Sequence, residues 1–564
     1  MKLTKRLIAL ILSLLTLIPV LGSVSSSASD DFSDVDKGKW YYDAVMWSLE
    51  KGFFKGTSEN TFSPDSTLTR GQLVTVLSAF DGSNTEKYKS ISNFSDVITG
   101  CFYTGSVEWA RKFGIVAGTG EGRFSPLSGV TREQFCVMLK SFVCDYLGYT
   151  FEYVNPEVKF TDEISPWAKE AVTWAQRCGL VSGTSKTTFS AKAKCTRAMT
   201  AQIIKRTYEA IPKQKVVAYY HLQASLGSDY ETEYIDVFNL HPTNVKNGPG
   251  SEAPFSMSFN YNSISSLKNR LRQKNPDAKF IFTVANGSLS VFESWLVSYS
   301  NCESFAYYFA KAVEDYDFDG VDIDYEFPTN TALRENFVKF IMYLREDLDE
   351  LSAKTGKTYT ISLAVPAGQW AFSLFDICGL EPYVDWFNIM NYDLYCGSSH
   401  KFAHHHAPPY DNAVIAGGSV CSDIALYKEN GIPASKIVPG CGMYSRRFNN
   451  VEPGENGDGL YQYGEIDDSN IHYSELLGYY YKNEATGKYE GKNGFTYYWD
   501  DSAKAPYLYN AESKQLLTFD NEESVSYKTE LIKSGLCGGI MVFDYCTCDG
   551  VGFFKALDKM LANR

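Results

Sequence analysis

The stretch from Phe318 to Pro328 reads FDGVDIDYEFP and sets Asp319, Asp322, Asp324 and Glu326 among apolar neighbours. In an extended strand side chains alternate faces, so Asp322, Asp324 and Glu326 share one side and Val321, Ile323 and Tyr325 take the other. Three carboxyls stacked behind an apolar outer face are costly to fold unless they do chemistry. Like charges crowded in a low-dielectric site do not all ionise, so at least one carboxyl should hold its proton near neutral pH. A protonated carboxyl at the end of a buried strand is what a general acid requires. The flanking residues are Phe318 and Phe327, not the Lys or Ser of a solvated edge strand.

The same alternation extends outward. From about Lys213 short apolar runs alternate with helical stretches, the pattern of parallel strands and crossover helices. The expected strands are Val216–Tyr220, Ile235–Asn239, Phe280–Ala285, Gly320–Glu326, Thr358–Ala364, Trp386–Met390, Ile437–Cys441 and Gly538–Phe543. Eight is the number a closed (β/α)8 barrel needs.

The acidic run resembles the DxxDxDxE signature of glycoside hydrolase family 18, the chitinase family, on Asp319, Asp322, Asp324 and Glu326, with Phe327-Pro328 as a variant of the usual Tyr-Pro. The resemblance implies a TIM barrel with this strand as the fourth and active residues at the carboxyl ends of the strands. It also implies substrate-assisted catalysis, in which the acetamido oxygen of the sugar attacks the anomeric carbon. Glu326 would be the acid and then the base, and Asp324 would orient the acetamido group. Asp322 would sit deeper and share a proton with Asp324.

Further motifs follow. Met390-Asn391-Tyr392-Asp393 resembles the family's Met-x-Tyr-Asp, which implies that Tyr392 bonds the acetamido group and Asp393 contacts the distorted sugar, with Met390 beside them. The run from Val438 to Arg446 resembles the family strand that ends in a tyrosine and an arginine, which adds Tyr444 to the substrate-binding set. Tyr219 on the first strand joins that set, as does Phe543, which stands where the family's tryptophan lines the −1 sugar site. A stretch between the seventh and eighth strands, about 447–534, looks like the family's small α+β insertion domain, and its Trp499 is a candidate for sugar stacking. The third strand ends Thr283-Val284-Ala285-Asn286 in place of Ser-x-Gly-Gly, and Tyr325 replaces a common tryptophan. These departures bear on substrate identity. His404-His405-His406 reads as loop structure, because consecutive side chains splay apart. No metal and no cofactor are expected.

The front half repeats one pattern three times. Phe32-Ser-Asp34, Phe94-Ser-Asp96 and Phe160-Thr-Asp162 open the units, and Thr69-Arg70, Thr131-Arg132 and Thr196-Arg197 recur near their ends, the arginines 62 and 65 residues apart. Fixed-period self-similarity marks a repeat architecture. Each unit reads as helix, loop, helix. Thr69 with Gln72 and Thr131 with Gln134 suit a capping box, whereas Thr196 has Met199 at the reciprocal position. The units resemble S-layer homology domains, with the Thr-Arg-Ala-Glu motif degraded in all three. That resemblance implies a pseudo-threefold α-helical bundle that binds an anionic secondary cell-wall polysaccharide through Asp34, Arg70, Asp96, Arg132, Asp162 and Arg197.

The expected domains are a signal peptide over 1–28, three repeats over 30–85, 92–148 and 158–212, and the barrel over 213–564. Lys2, Lys5 and Arg6, the apolar Leu7 to Leu21 and the small residues Gly22 to Ser29 suit a secretory signal cleaved near Ala28. A net charge of −14 disfavours nucleic acid or an anionic bilayer as the main partner. The 13 cysteines are odd in number and scattered, so no disulfide is assigned.

The resulting expectation is a secreted, monomeric glycosidase on a Gram-positive-type cell surface. It would hydrolyse chitin or other β-1,4-linked N-acetylglucosamine polymers, with no membrane association after signal cleavage. The alternatives are an endo-β-N-acetylglucosaminidase on N-glycans or peptidoglycan, and a wall-displayed lectin on a barrel without activity.

Overall fold

A computed structural model describes residues 32–562, except 158, 223–228, 258, 397–400, 413, 415–416 and 549. The expected signal segment lies outside the described residues. Two compact units divide the chain, Met1–Pro212 and Lys213–Arg564.

In the first unit three helix pairs carry the repeats. Their second helices are α1 (Arg70–Phe80), α2 (Arg132–Lys140) and α3 (Arg197–Ala210). Thr69 and Thr131 close capping boxes with Gln72 and Gln134. Thr196 caps the Met199 amide without a reciprocal bond, because methionine offers no acceptor to return.

The units interlock in a ring. The Leu68 amide donates to the Cys195 carbonyl at 2.9 Å, Cys195 to Val130 at 3.0 Å and Val130 to Leu68 at 2.9 Å. These three residues are buried, so each carries its neighbour's backbone bond around the pseudo-threefold axis. The loops repeat the order: Gly71 N donates to Pro126 O, Glu133 N to Ala191 O and Ala198 N to Pro64 O. Ala191, at the position of Pro64 and Pro126, accepts through its carbonyl as they do and also donates its N–H to Asp162 at 3.4 Å, a bond proline cannot make.

The second unit is a closed barrel of eight parallel strands: β1 (Lys215–His221), β2 (Val237–Val245), β3 (Lys279–Ala285), β4 (Gly320–Asp324), β5 (Thr360–Pro366), β6 (Trp386–Met390), β7 (Ile437–Gly442) and β8 (Gly539–Phe543). Each pairs with the next, and β8 pairs with β1. β2 runs beyond its expected end at Asn239 and gains an antiparallel two-residue partner, Phe255–Ser256. The polar run His241-Pro-Thr-Asn244 hid that extension in the sequence. β4 ends at Asp324, two residues short of expectation.

Val217, Val237, Ile281, Trp386, Val438 and Met541 pack within the barrel, below the acids. A larger apolar shell, including Phe282, Phe309, Val321, Ile323 and Phe340, joins the strands to the surrounding helices. Between β7 and β8 the chain builds a five-stranded antiparallel sheet in the order Glu465–His472, Tyr444–Asn449, Gln515–Thr518, Ala505–Asn510, Thr496–Asp500. Among the described residues no helix is long and apolar enough to cross a membrane.

Candidate active site

Strand register builds the site in tiers. Thr283, Asp322 and Ser362 stand side by side on β3, β4 and β5, and Ala285, Asp324 and Ala364 form the next tier toward the mouth. Asp322 is fully buried. It accepts hydrogen bonds from Tyr219 Oη at 2.9 Å, Ser362 Oγ at 2.6 Å and Asn388 Nδ2 at 3.0 Å. Burial pushes its pKa up to about 6, against the pull of those donors.

Asp324 differs. Burial raises its carboxyl well above the usual range, and the charges of Glu326 and Asp322 add to the rise. Its Oδ1 is buried without a hydrogen-bond partner among the described residues, and Glu326 lies just past the strand end, exposed at the mouth. The Glu326 pKa is raised by desolvation and by Asp393, and lowered by the bond from Asp324. Asp324 is therefore coupled to both neighbours, with Glu326 the larger influence and Asp322, its expected partner, the smaller. Three donors already satisfy Asp322, whereas Asp324 has only its neighbour toward the mouth.

Asn286 directly follows the last residue of β3. Its amide clamps the Glu326 backbone, accepting from Glu326 N at 3.1 Å and donating to Glu326 O at 3.4 Å. Asn388, Ser362 and Tyr219 form the donor set beneath. The first two were legible as polar residues at inward positions of otherwise apolar strands.

Aromatic rings wall the site. Phe543 stacks on Tyr392 with centroids 5.7 Å apart and lies 5.5 Å from Tyr219. Tyr444 meets Tyr392 edge-on at 6.2 Å. Met390 packs in the same cluster. Gly440 and Gly442 on β7 let the Tyr392 ring lie flat on backbone, since a Cβ at either would come within 3.0 Å of that side chain. Asp393 accepts a two-pronged pair from Arg446, Nε at 2.6 Å and Nη2 at 2.5 Å, and His406 together with Arg446 holds its carboxyl well below the usual range against the pull of burial. Arg446 Nη1 also reaches Asn470 of the added sheet at 2.9 Å.

The structure sets other sequence-predicted residues apart. Trp499 lies on the added sheet, where it lines a cavity of about 280 Å³ with Asn412, Asp458, Tyr461, Asp501 and Tyr507. The three consecutive histidines take separate partners: His404 meets Asn412, His405 meets Asp500 and His406 meets Asp393.

In the first unit Asp34, Asp96 and Asp162 each accept two backbone amides of their own repeat, at Phe62 and Ser63, Phe124 and Ser125, and Phe189 and Ser190. Arg70, Arg132 and Arg197 are turned inward, 6%, 9% and 6% exposed. Their Nε groups donate to the carbonyls of Phe124, Phe189 and Phe62, each in the next repeat around the ring. Each guanidinium also covers that phenylalanine's ring.

Comparison with known proteins agrees with this architecture. The profile of glycosyl hydrolases family 18 matches residues 215–547, and that of the S-layer homology domain matches 31–74, 93–136 and 161–199. Chitinase A1 of Niallia circulans is 33% identical over 304 residues, 49% of this chain and 41% of that protein. Chitinase 1 of Aphanocladium album is 27% identical over 49% of this chain and 63% of its own length. The chain thus spans less than two thirds of these curated relatives. A family 18 N-acetylglucosaminidase from Paenibacillus barengoltzii superposes with a TM-score of 0.51 at 25% identity, over 62% of this chain and 99% of its own. The chain belongs to glycosyl hydrolases family 18 and carries three S-layer homology domains ahead of its barrel.

Proposed function

We propose that the barrel hydrolyses β-1,4-linked N-acetylglucosamine polymers, chitin or its oligomers, by substrate-assisted retaining catalysis. The observation that carries this reading is the position of Asp324 at the end of β4 and of Glu326 two residues on at the mouth, with the buried Asp324 Oδ1 left without a partner among the described residues and available to a substrate amide. A retaining enzyme that forms a covalent intermediate separates its two carboxyls by about 5–5.5 Å to hold the sugar between them. Asp324 and Glu326 stand as neighbours at one strand end and do not face each other across a sugar, so in this reading the nucleophile comes from the substrate.

In the proposed reaction Glu326 gives its proton to the glycosidic oxygen as that bond breaks. The acetamido oxygen bonds C1 from the opposite face, and Asp324 takes the amide N–H of the resulting oxazolinium. Glu326 then removes a proton from water, which opens the ring at C1 with overall retention. Tyr392 donates to the acetamido oxygen, and Tyr219, Met390, Tyr444, Phe543 and Asp393 line the sugar site. Chitinase and N-acetylglucosaminidase, the names carried by the relatives, both act on sugars bearing the 2-acetamido group that this route needs. Glu326→Gln should abolish turnover of chito-oligosaccharides while keeping their binding. Normal turnover by that variant would overturn the assignment. Product analysis on chitin, glycoprotein and peptidoglycan separates the substrate classes.

The S-layer homology domains support retention at the cell wall through an anionic secondary polysaccharide. The secretory signal and a monomeric state belong to the same reading.

A further inference from the structure

We propose that Asp423 is a positioning residue for Tyr392, acting through Asn391 and the Gly440 amide in a hydrogen-bond chain that an ionised carboxylate at 423 completes. The proposal rests on the hydrolytic reading above.

Asp423 lies in the first turn of α4 (Val420–Glu429) and is fully buried. Its Oδ1 accepts from the Gly368 amide at 2.7 Å, and its Oδ2 accepts from Asn391 Nδ2 at 2.5 Å. Asn391 Nδ2 also reaches Gly418 O at 3.4 Å. The other end of the Asn391 amide, Oδ1, accepts from Gly440 N at 3.4 Å. Asn391 is bonded to Tyr392, and Gly440 is the backbone on which the Tyr392 ring lies. Its carbonyl is approached from behind by Lys528, on α5 (Glu522–Ser534), at 3.5 Å. Lys528 is itself fixed by a buried ion pair with Asp520 at 2.5 Å.

The chain therefore joins the loop after β5, the end of β6 and the middle of β7. Both of its ends are backbone N–H groups, which can only donate. Of the four side-chain positions between them, the two outer ones must accept, and one of the inner two must donate to the other. An ionised carboxylate followed by a carboxamide meets that requirement. An amide at 423 would put its NH2 against Asn391, which would have to flip and turn its own NH2 toward the Gly440 N–H. Two donors would then face each other in a buried site, at the cost of an unsatisfied group. A proton on Asp423 has the same effect, because the acid then also donates. Burial pushes the Asp423 pKa up to about 7, with Asp411, Tyr395 and Tyr427 the titratable groups that face it, so the ionised form gains population as pH rises through that value and the variants are compared above it.

The donor order predicts its own rescue. Asp423→Asn alone and Asn391→Asp alone each break one link. Together they restore it with the inner bond reversed: the new amide at 423 donates to the new carboxylate at 391, whose other oxygen accepts from Gly440 N. Each single variant should lower kcat on chito-oligosaccharides about ten- to hundredfold with little change in KM, the cost of misplacing a reacting group by about 1 Å. The double variant should return to within about threefold of the parent. Hydrogen exchange at the Gly440 amide, read by mass spectrometry on the full chain, should be fast in both single variants and slow in the parent and the double variant.

Parental kcat in Asp423→Asn, or a double variant no faster than the slower single, would overturn the proposal. So would Gly440 exchange that ignores the substitutions. If the parent hydrolyses no acetamido sugar, the functional reading falls, and the exchange pattern alone decides whether the chain sets the seat of Tyr392.

Discussion

Asp322 shows how a buried carboxyl is tuned by its donors. Burial alone would drive its proton affinity far up, and Tyr219, Ser362 and Asn388 hold it to about 6. The sign of any substitution follows. Each donor favours the charged form, so Tyr219→Phe or Ser362→Ala must raise the pKa further. A hydrogen bond to a charged group contributes about 1.5–3 kcal/mol, which corresponds to a shift of about one to two pH units. The acid limb of the kcat/KM profile should therefore move to higher pH by about that amount in either variant. The basic limb, set by the Asp324–Glu326 pair, should stay in place. A profile displaced at both limbs would show that Asp322 titrates with the pair above it. The acids were legible in the sequence because three carboxyls on one face of an apolar strand have few other uses. Their pairing was not. It depends on which neighbours satisfy which oxygen, and Ser362 and Asn388 lie 40 and 66 residues away.

At the scale of elements, the repeats show what the recurring Thr-Arg pair does within the fold. Recurrence of Thr-Arg predicted the second helices, and the caps followed from residue type. The direction of the arginine side chain was not available from spacing, because it is fixed by the loop of the next repeat. Arg197 closes the ring from the third repeat onto the first, with Nε on Phe62 O at 2.7 Å and Nη2 on Lys55 O at 2.7 Å. Arg197→Ala leaves two carbonyls without donors and opens a hole over the Phe62 ring. The buried Phe62 carbonyl left without its donor costs about 1–3 kcal/mol, and the Lys55 carbonyl, on an exposed residue, adds less, so a loss of about 1–3 kcal/mol is expected for the first unit. Urea unfolding of the full chain, followed by tryptophan fluorescence, should show an earlier transition in this variant. Arg197→Lys should recover little, because an ammonium cannot reach both carbonyls in the plane that a guanidinium spans. The barrel strands were read well for a simpler reason. Parallel strands buried on both faces are continuous apolar runs, and the reading slipped where polar residues interrupt them, at the end of β2 and the acidic end of β4.

At the scale of the whole molecule, the two units have separate cores, and each has a chemistry the other lacks. The chain carries a net charge of −14, so an acidic wall polymer would be repelled by the protein as a whole. In the proposed anchoring role, retention would come from local donors on the S-layer homology unit acting at short range, where screening by salt is weaker than for the long-range repulsion. Two consequences can be measured together. A chain starting at Lys213 should hydrolyse soluble chito-oligosaccharides with the same kcat as the full chain, because every residue of the site lies after that point. The same fragment should stay in solution when mixed with purified Gram-positive walls, whereas the full chain should sediment with them. Walls stripped of their anionic polysaccharide by mild acid should release the full chain without changing its turnover. Sedimentation of the Lys213 fragment with intact walls would move the anchoring function into the barrel or its added sheet. Loss of its activity in solution would instead show that the first unit supports the fold of the second.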